Sequence, residues 1–211
     1  DKMPFHAYES PENAIRQLGR KAHEMYLEPG LVPQAMSYAA DLYQNDIVYM
    51  RAAAFLPARE KAVETTKGLD IVDVSSGEVR YRVLDDSKTL LPVRRPEPPV
   101  KALGDVPDDP VTPWGALLET PTMRSLEAYV KAFKGRKFLF GFACGQSANA
   151  LDSSLGTEEA MLATLEDPGL CRAIMERKWV ELRETILALH ALGADGVYTG
   201  GGAAPIAPRQ N

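Results

Sequence analysis

Four short apolar runs constrain the fold of this chain more than any other feature: Met3 to Tyr8, Asp46 to Met50, Lys137 to Phe142 and Ala194 to Thr199. Each is read as continuously apolar, the pattern of a strand covered on both faces, as in a parallel sheet. The stretches between them carry helical signals. Ser10-Pro11-Glu12-Asn13 reads as a helix start, with a serine N-cap, proline at the first helical position and an acid in the first turn. Ile15, Leu18, Ala22, Met25 and Tyr26 follow at helical spacing, and Glu28-Pro29-Gly30 ends that helix. Further helices are predicted from about Pro33 to Tyr43, Thr122 to Phe133, Thr157 to Leu165 and Pro168 to Leu192. Strands alternating with helices give a β/α rhythm and a parallel sheet.

One segment breaks that rhythm. From Asp70 to Val83, apolar and polar residues alternate around Ser75-Ser76-Gly77, which predicts an antiparallel hairpin with one wet face, and Thr89 to Val93 adds a candidate third strand. Seven prolines between Pro92 and Pro113 make that stretch a loop. The fold class expected is therefore α/β: a (β/α)8 TIM-type barrel, with residues 1–211 forming one domain and residues 70–93 an antiparallel excursion within it. A closed barrel normally takes about 250 residues. Four units are roughly half of one, so the chain is expected to cover the first half of a barrel; an open doubly wound sheet is the other arrangement compatible with the rhythm.

Composition excludes several function classes. A formal net charge of −5 is not the basic footprint of a nucleic-acid binder. Cys144 and Cys171, far apart, do not form a disulfide framework and suit a reducing, cytoplasmic setting. No apolar run reaches the about 18 residues of a membrane span, and Asp1-Lys2-Met3-Pro4 lacks a signal-peptide layout. The two cysteines and three histidines show no metal-ligand spacing.

The order of signals after Leu117 resembles the uroporphyrinogen decarboxylase superfamily. These signals are a helix, a strand ending in Gly141-Phe142-Ala143-Cys144-Gly145, Ala150-Leu151 and Gly156, a long helix after Asp167-Pro168 that ends in Leu192-Gly193-Ala194-Asp195-Gly196, and a strand leading to Ile206-Ala207-Pro208. Asp46-Ile47-Val48-Tyr49 resembles that superfamily's second strand. The resemblance implies a barrel whose site lies at the C-terminal ends of the strands. It implies either decarboxylation of a porphyrinogen or methyl transfer involving a corrinoid or coenzyme M. Two positions depart from the decarboxylases. Arg16-Gln17-Leu18-Gly19-Arg20 echoes their Arg-Gln-Ala-Gly-Arg motif but sits well downstream, in a helical pattern, and Met50-Arg51-Ala52-Ala53 stands where they carry an aspartate. These departures favour a methyltransferase moving a methyl group between a small substrate and a corrinoid, with uroporphyrinogen decarboxylase as the runner-up and a non-catalytic tetrapyrrole- or partner-binding barrel as the third reading.

Candidate site residues follow from the strand ends, where barrels carry function. His6 and Glu9 close the first run and Arg51 the second; these three are the catalytic candidates. Tyr8 beside them is a substrate-binding candidate, and the group at the first strand's end has the alternative reading of a polar cluster capping a strand, as Arg51 has that of one half of a structural ion pair. Cys144, Gln146 and Asn149 after the third run, and Thr199, Gly200 and Gly201 after the fourth, are the substrate-binding candidates. Cys144 reads more readily as a small buried hydrophobe than as a ligand. The glycines can offer backbone N–H groups to an anion or simply make a tight turn. No cofactor is assigned within the chain; zinc enters only if a later half of the barrel supplies ligands. The expected partners are a small-molecule or tetrapyrrole substrate and a corrinoid protein, a homodimer is the candidate assembly, and no nucleic acid or membrane is involved.

Overall fold

A computed structural model of the chain describes residues 10–28, 30–53, 55, 56, 58–84, 91–93, 100, 102–108, 110–143 and 148–199. The run at 3–8, expected to be the first strand, lies outside them. The other three runs are strands: β1 (Ile47–Met50), β6 (Phe138–Phe142) and β7 (Gly196–Tyr198) pair in parallel in the order β1-β6-β7. The register sets Tyr49 beside Phe140, Met50 beside Gly141 and Phe142 beside Tyr198. A second sheet is antiparallel, in the order β2 (Glu60–Thr65), β3 (Gly68–Asp73), β4 (Val79–Leu84) and β5 (Leu91–Pro92). The fold is thus mixed α/β with one parallel and one antiparallel sheet, and the described residues form no closed barrel.

The antiparallel excursion starts ten residues earlier than expected. Strand β2 escapes an alternation search because Glu60, Lys61, Glu64 and Thr65 leave only Ala62 and Val63 as apolar members, and as an edge strand it has no fully buried side chain. Its partners β3 and β4 supply the small core of Leu69, Ile71 and Val83. The turn between β3 and β4 is organised by Asp73, whose Oδ1 accepts from the Ser75 hydroxyl at 2.6 Å and from the Ser75 and Ser76 backbone N–H groups, each at 3.0 Å. These bonds hold the Asp73 carboxyl well below the usual carboxylate range, the Ser75 hydroxyl contributing most.

Helix α1 (Pro11–Gln17) begins as the sequence predicts: Ser10 is the N-cap and its hydroxyl accepts from the Asn13 N–H at 3.4 Å. It stops ten residues short of its expected end. Gly19, at φ +73°, turns the chain, and Ala22–Tyr26 forms a separate 3-10 turn. Arg20 is spent on this turn in ion pairs with Glu24 and Glu28, so the arginine motif echoed there lies in a local helix–turn structure. Helix α2 (Leu31–Leu42) precedes β1. Two helices were not predicted, α3 (Trp114–Leu118) and α5 (Ala148–Leu155), each too short for a clear period. Helices α4 (Pro121–Phe133), α6 (Thr157–Glu166) and α7 (Pro168–Leu192) lie where the sequence puts them. Thr120 and Asp167 cap α4 and α7 through their side chains, and Gly193, at φ +115°, ends α7 in the left-handed conformation that glycine adopts without strain.

The main core lies on one face of the parallel sheet. Val48, Met50, Leu139 and Ala143 pack there against Ala35, Met36 and Ala39 of α2, Leu126, Tyr129 and Phe133 of α4, and Ala188 and Leu189 of α7. Gly141 belongs to this face. A Cβ on it would stand 3.0 Å from Leu189 Cδ1, so this glycine admits the close approach of a helix. At the N-terminal ends of the strands the fastening is polar. The Lys137 ammonium donates to the carbonyls of Ala40 and Asn45 at 2.9 and 3.0 Å, closing the end of α2. Asp195 is ion-paired with Lys134 and accepts from the Leu139 N–H at 2.9 Å, joining β6 to the start of β7.

Candidate functional site

The other face of the parallel sheet is built of aromatic rings. Strand alternation puts Phe138, Phe140 and Phe142 on one side of β6, with Tyr49 of β1 and Tyr198 of β7 beside them. Tyr49 meets Phe140 edge-on, with ring centroids 5.3 Å apart, and Phe142 stacks with Tyr198 at 5.2 Å and 19°. Gly196 makes room for this layer, since a Cβ on it would come within 2.9 Å of the Phe140 ring. Phe138 and Tyr198 remain 45% and 41% exposed, so helices cover one face of the sheet while rings still reach solvent on the other.

Arg51 stands at the C-terminal end of this aromatic layer. It is half-buried, and its guanidinium carbon lies 3.8 Å from the Phe142 ring centroid and 6.0 Å from that of Tyr49. A guanidinium that close over a ring gains about 0.5–2 kcal/mol from the ring quadrupole. The backbone that carries it is fastened to α4. The Tyr129 hydroxyl donates to the Arg51 carbonyl at 2.9 Å, and the Ala53 N–H donates to Ser125 Oγ at 3.1 Å. Tyr129 is fully buried; burial pushes its hydroxyl far above the ordinary tyrosine range, against the smaller opposing effect of its hydrogen bond to Arg51, so it stays a neutral donor. The arrangement offers a fixed positive charge beside flat, apolar, partly open ring faces.

Among the sequence-selected residues, Arg51 is the one whose contacts are defined. Thr199 lies just beyond β7, at the same end of the sheet as Arg51, while the residue level with Phe142 is Tyr198. Asn149 falls in α5. His6, Tyr8, Glu9, Cys144, Gln146, Gly200 and Gly201 lie outside the described residues. The aromatic layer was missed, although its signal was present: Phe138-Leu139-Phe140-Gly141-Phe142 places a phenylalanine at every second position, the period of a strand with one aromatic face. His23 is buried in the helical layer and Cys171 is a buried free thiol packed among α5, α6 and α7. A shallow cavity of about 510 Å³ lined by Leu118, Glu119, Arg124 and Leu192 belongs to the helices and includes none of the strand-end residues.

Comparison of the chain with protein-family models, curated proteins and solved structures found no match. Among the described residues, no helix is long and apolar enough to cross a membrane, and no group of three histidine, cysteine, aspartate or glutamate side chains is placed to hold a metal ion.

Proposed function

We propose that the chain forms the first β/α units of a barrel enzyme of the uroporphyrinogen decarboxylase superfamily, which takes a methyl group from a small, planar, anionic substrate and passes it to a corrinoid. Three features of the fold support the barrel. Among the described residues, the parallel strands neighbour one another in sequence order, helices pack on one face of the sheet, and the opposite face is apolar. A doubly wound sheet carries helices on both faces, whereas a barrel wall turns one face to the other strands.

The observation that carries the functional reading is Arg51 above Phe142 at the C-terminal end of the strands. A flat substrate would lie on the rings, with its carboxylate paired to the guanidinium and its methyl-bearing atom held toward the barrel mouth. Methyl transfer itself rests on the family resemblance and on the absence of an acid at Arg51-Ala52-Ala53, where a decarboxylase holds its substrate's pyrrole nitrogens. The broad ring surface also favours, as a second reading, a tetrapyrrole whose acetate groups meet arginine.

The test is to incubate the protein with cob(I)alamin and methoxylated aromatic acids, and separately with uroporphyrinogen. The proposal expects protein-dependent formation of methylcobalamin and negligible coproporphyrinogen. Efficient coproporphyrinogen formation would install the second reading, and activity with neither substrate would remove both.

A further inference from the structure

We propose that Phe142 is a positioning residue: its ring fixes the Arg51 guanidinium, and recognition of a carboxylate at the candidate site depends on that hold. The proposal rests on the reading of Arg51 as the group that pairs with the substrate's carboxylate. Register brings the two side chains together. Met50 is paired with Gly141 and Tyr198 with Phe142, so the next position along the chain after β1 sets Arg51 level with Phe142 and completes a row of Arg51, Phe142 and Tyr198 across the sheet. Alternation puts Arg51 on the face that carries Tyr49, while Val48 and Met50 face the helices.

Within that row, Phe142 is the ring that meets the charge. The Arg51 guanidinium carbon lies 3.8 Å from its centroid and 6.0 Å from that of Tyr49, and the attraction of a cation to a ring weakens with distance. Tyr198 stacks with Phe142 at 5.2 Å and 19° from the β7 side of the central strand β6, so the ring is itself held. The Tyr129 hydroxyl fixes the other end of Arg51 at its carbonyl, a bond that does not choose the side chain's rotamer. A long arginine side chain loses much of its freedom on being ordered, and a substrate that finds it already ordered binds more tightly. The ring face filled by the guanidinium therefore acts on the substrate through Arg51.

Isothermal titration of the full chain with para-methoxybenzoate and its neutral counterpart, para-methoxybenzamide, separates charge recognition from ring stacking. Phe142→Leu should weaken binding of the acid about tenfold, the size of one such ring contact, and leave the amide unchanged; Phe142→Tyr, which keeps a ring face, should restore the acid. In an Arg51→Ala background, Phe142→Leu should have no further effect on the acid, since the two residues act as one unit. Pentafluorophenylalanine at position 142 keeps the ring's shape and reverses its quadrupole, so it should weaken the acid as leucine does, even where circular dichroism shows that leucine disturbs folding. Leucine and fluorinated proteins that bind the acid as wild type does would overturn the proposal and leave Arg51 its role. Equal losses for acid and amide would also overturn it, by making Phe142 a stacking surface or a part of the fold. Wild-type protein that binds the acid no better than the amide would instead remove the reading of Arg51, and the proposal with it.

Discussion

Replacing Tyr129 with phenylalanine tests how Arg51 is held. The ring of Tyr129 is fully buried among α2, α4 and the sheet, and phenylalanine keeps that ring, so no cavity forms. What is lost is one donor, the hydroxyl 2.9 Å from the Arg51 carbonyl. A carbonyl left without its partner in a half-buried segment costs roughly 1–3 kcal/mol, against about 3–5 kcal/mol for removing the whole side chain as in Tyr129→Ala. At about 2–4 °C per kcal/mol for a chain of this size, a loss near 1.5 kcal/mol lowers the melting temperature by about 3–6 °C. The assay is a pair of thermal melts followed by circular dichroism, with urea titrations to supply the free energies. A Tyr129→Phe protein that melts with wild type, while Tyr129→Ala falls steeply, would refute the reasoning: the ring would matter and the bond to Arg51 would not.

Other outcomes follow from the same geometry. Gly141→Ala presses a methyl group to 3.0 Å from Leu189 Cδ1 and should cost about 1–3 kcal/mol, readable in urea unfolding, while Gly115→Ala in α3, where no atom lies within 4 Å of the added Cβ, should leave stability unchanged or raise it by up to about 1 kcal/mol. The Lys134 ammonium, and then the Leu139 N–H, hold the Asp195 carboxyl below its ordinary value. That contribution to stability is present above the unfolded carboxyl's value near 3.9 and is lost as pH falls through the folded value. Asp195→Asn should therefore flatten the fall of the urea midpoint below about pH 4.

Much of the fold was legible because its signals are local. Ser10, Thr120 and Asp167 start helices through side-chain caps that any unfolded chain already encodes, and the runs ending at Met50, Phe142 and Tyr198 are long enough to read as strands. Strand β2 was hidden because an edge strand with charged side chains is specified by its partner's hydrogen bonds and not by its own pattern. Helix α1 was drawn too long because apolar spacing from Ile15 to Tyr26 continues through Gly19, where the backbone does not. At the candidate site, a strand-end rule points to Arg51. It passes over Phe142 and Tyr198 because it looks past strand ends for polar groups, whereas the surface beside Arg51 is the strand's own aromatic face.

The central claim is that Arg51 above the aromatic layer binds the substrate, and the most direct measurement is methyl transfer to cob(I)alamin by Arg51→Ala beside wild type, with a thermal melt of each. The expected result is a fall in kcat/KM worth about 2–4 kcal/mol, the scale of a lost charged hydrogen bond, with a stability change of no more than about 2 kcal/mol, the worth of the ring contact. A folded Arg51→Ala protein with unchanged kcat/KM would contradict it, as would a loss of roughly 3–5 kcal/mol in stability, which would make Arg51 a member of a buried structural pair.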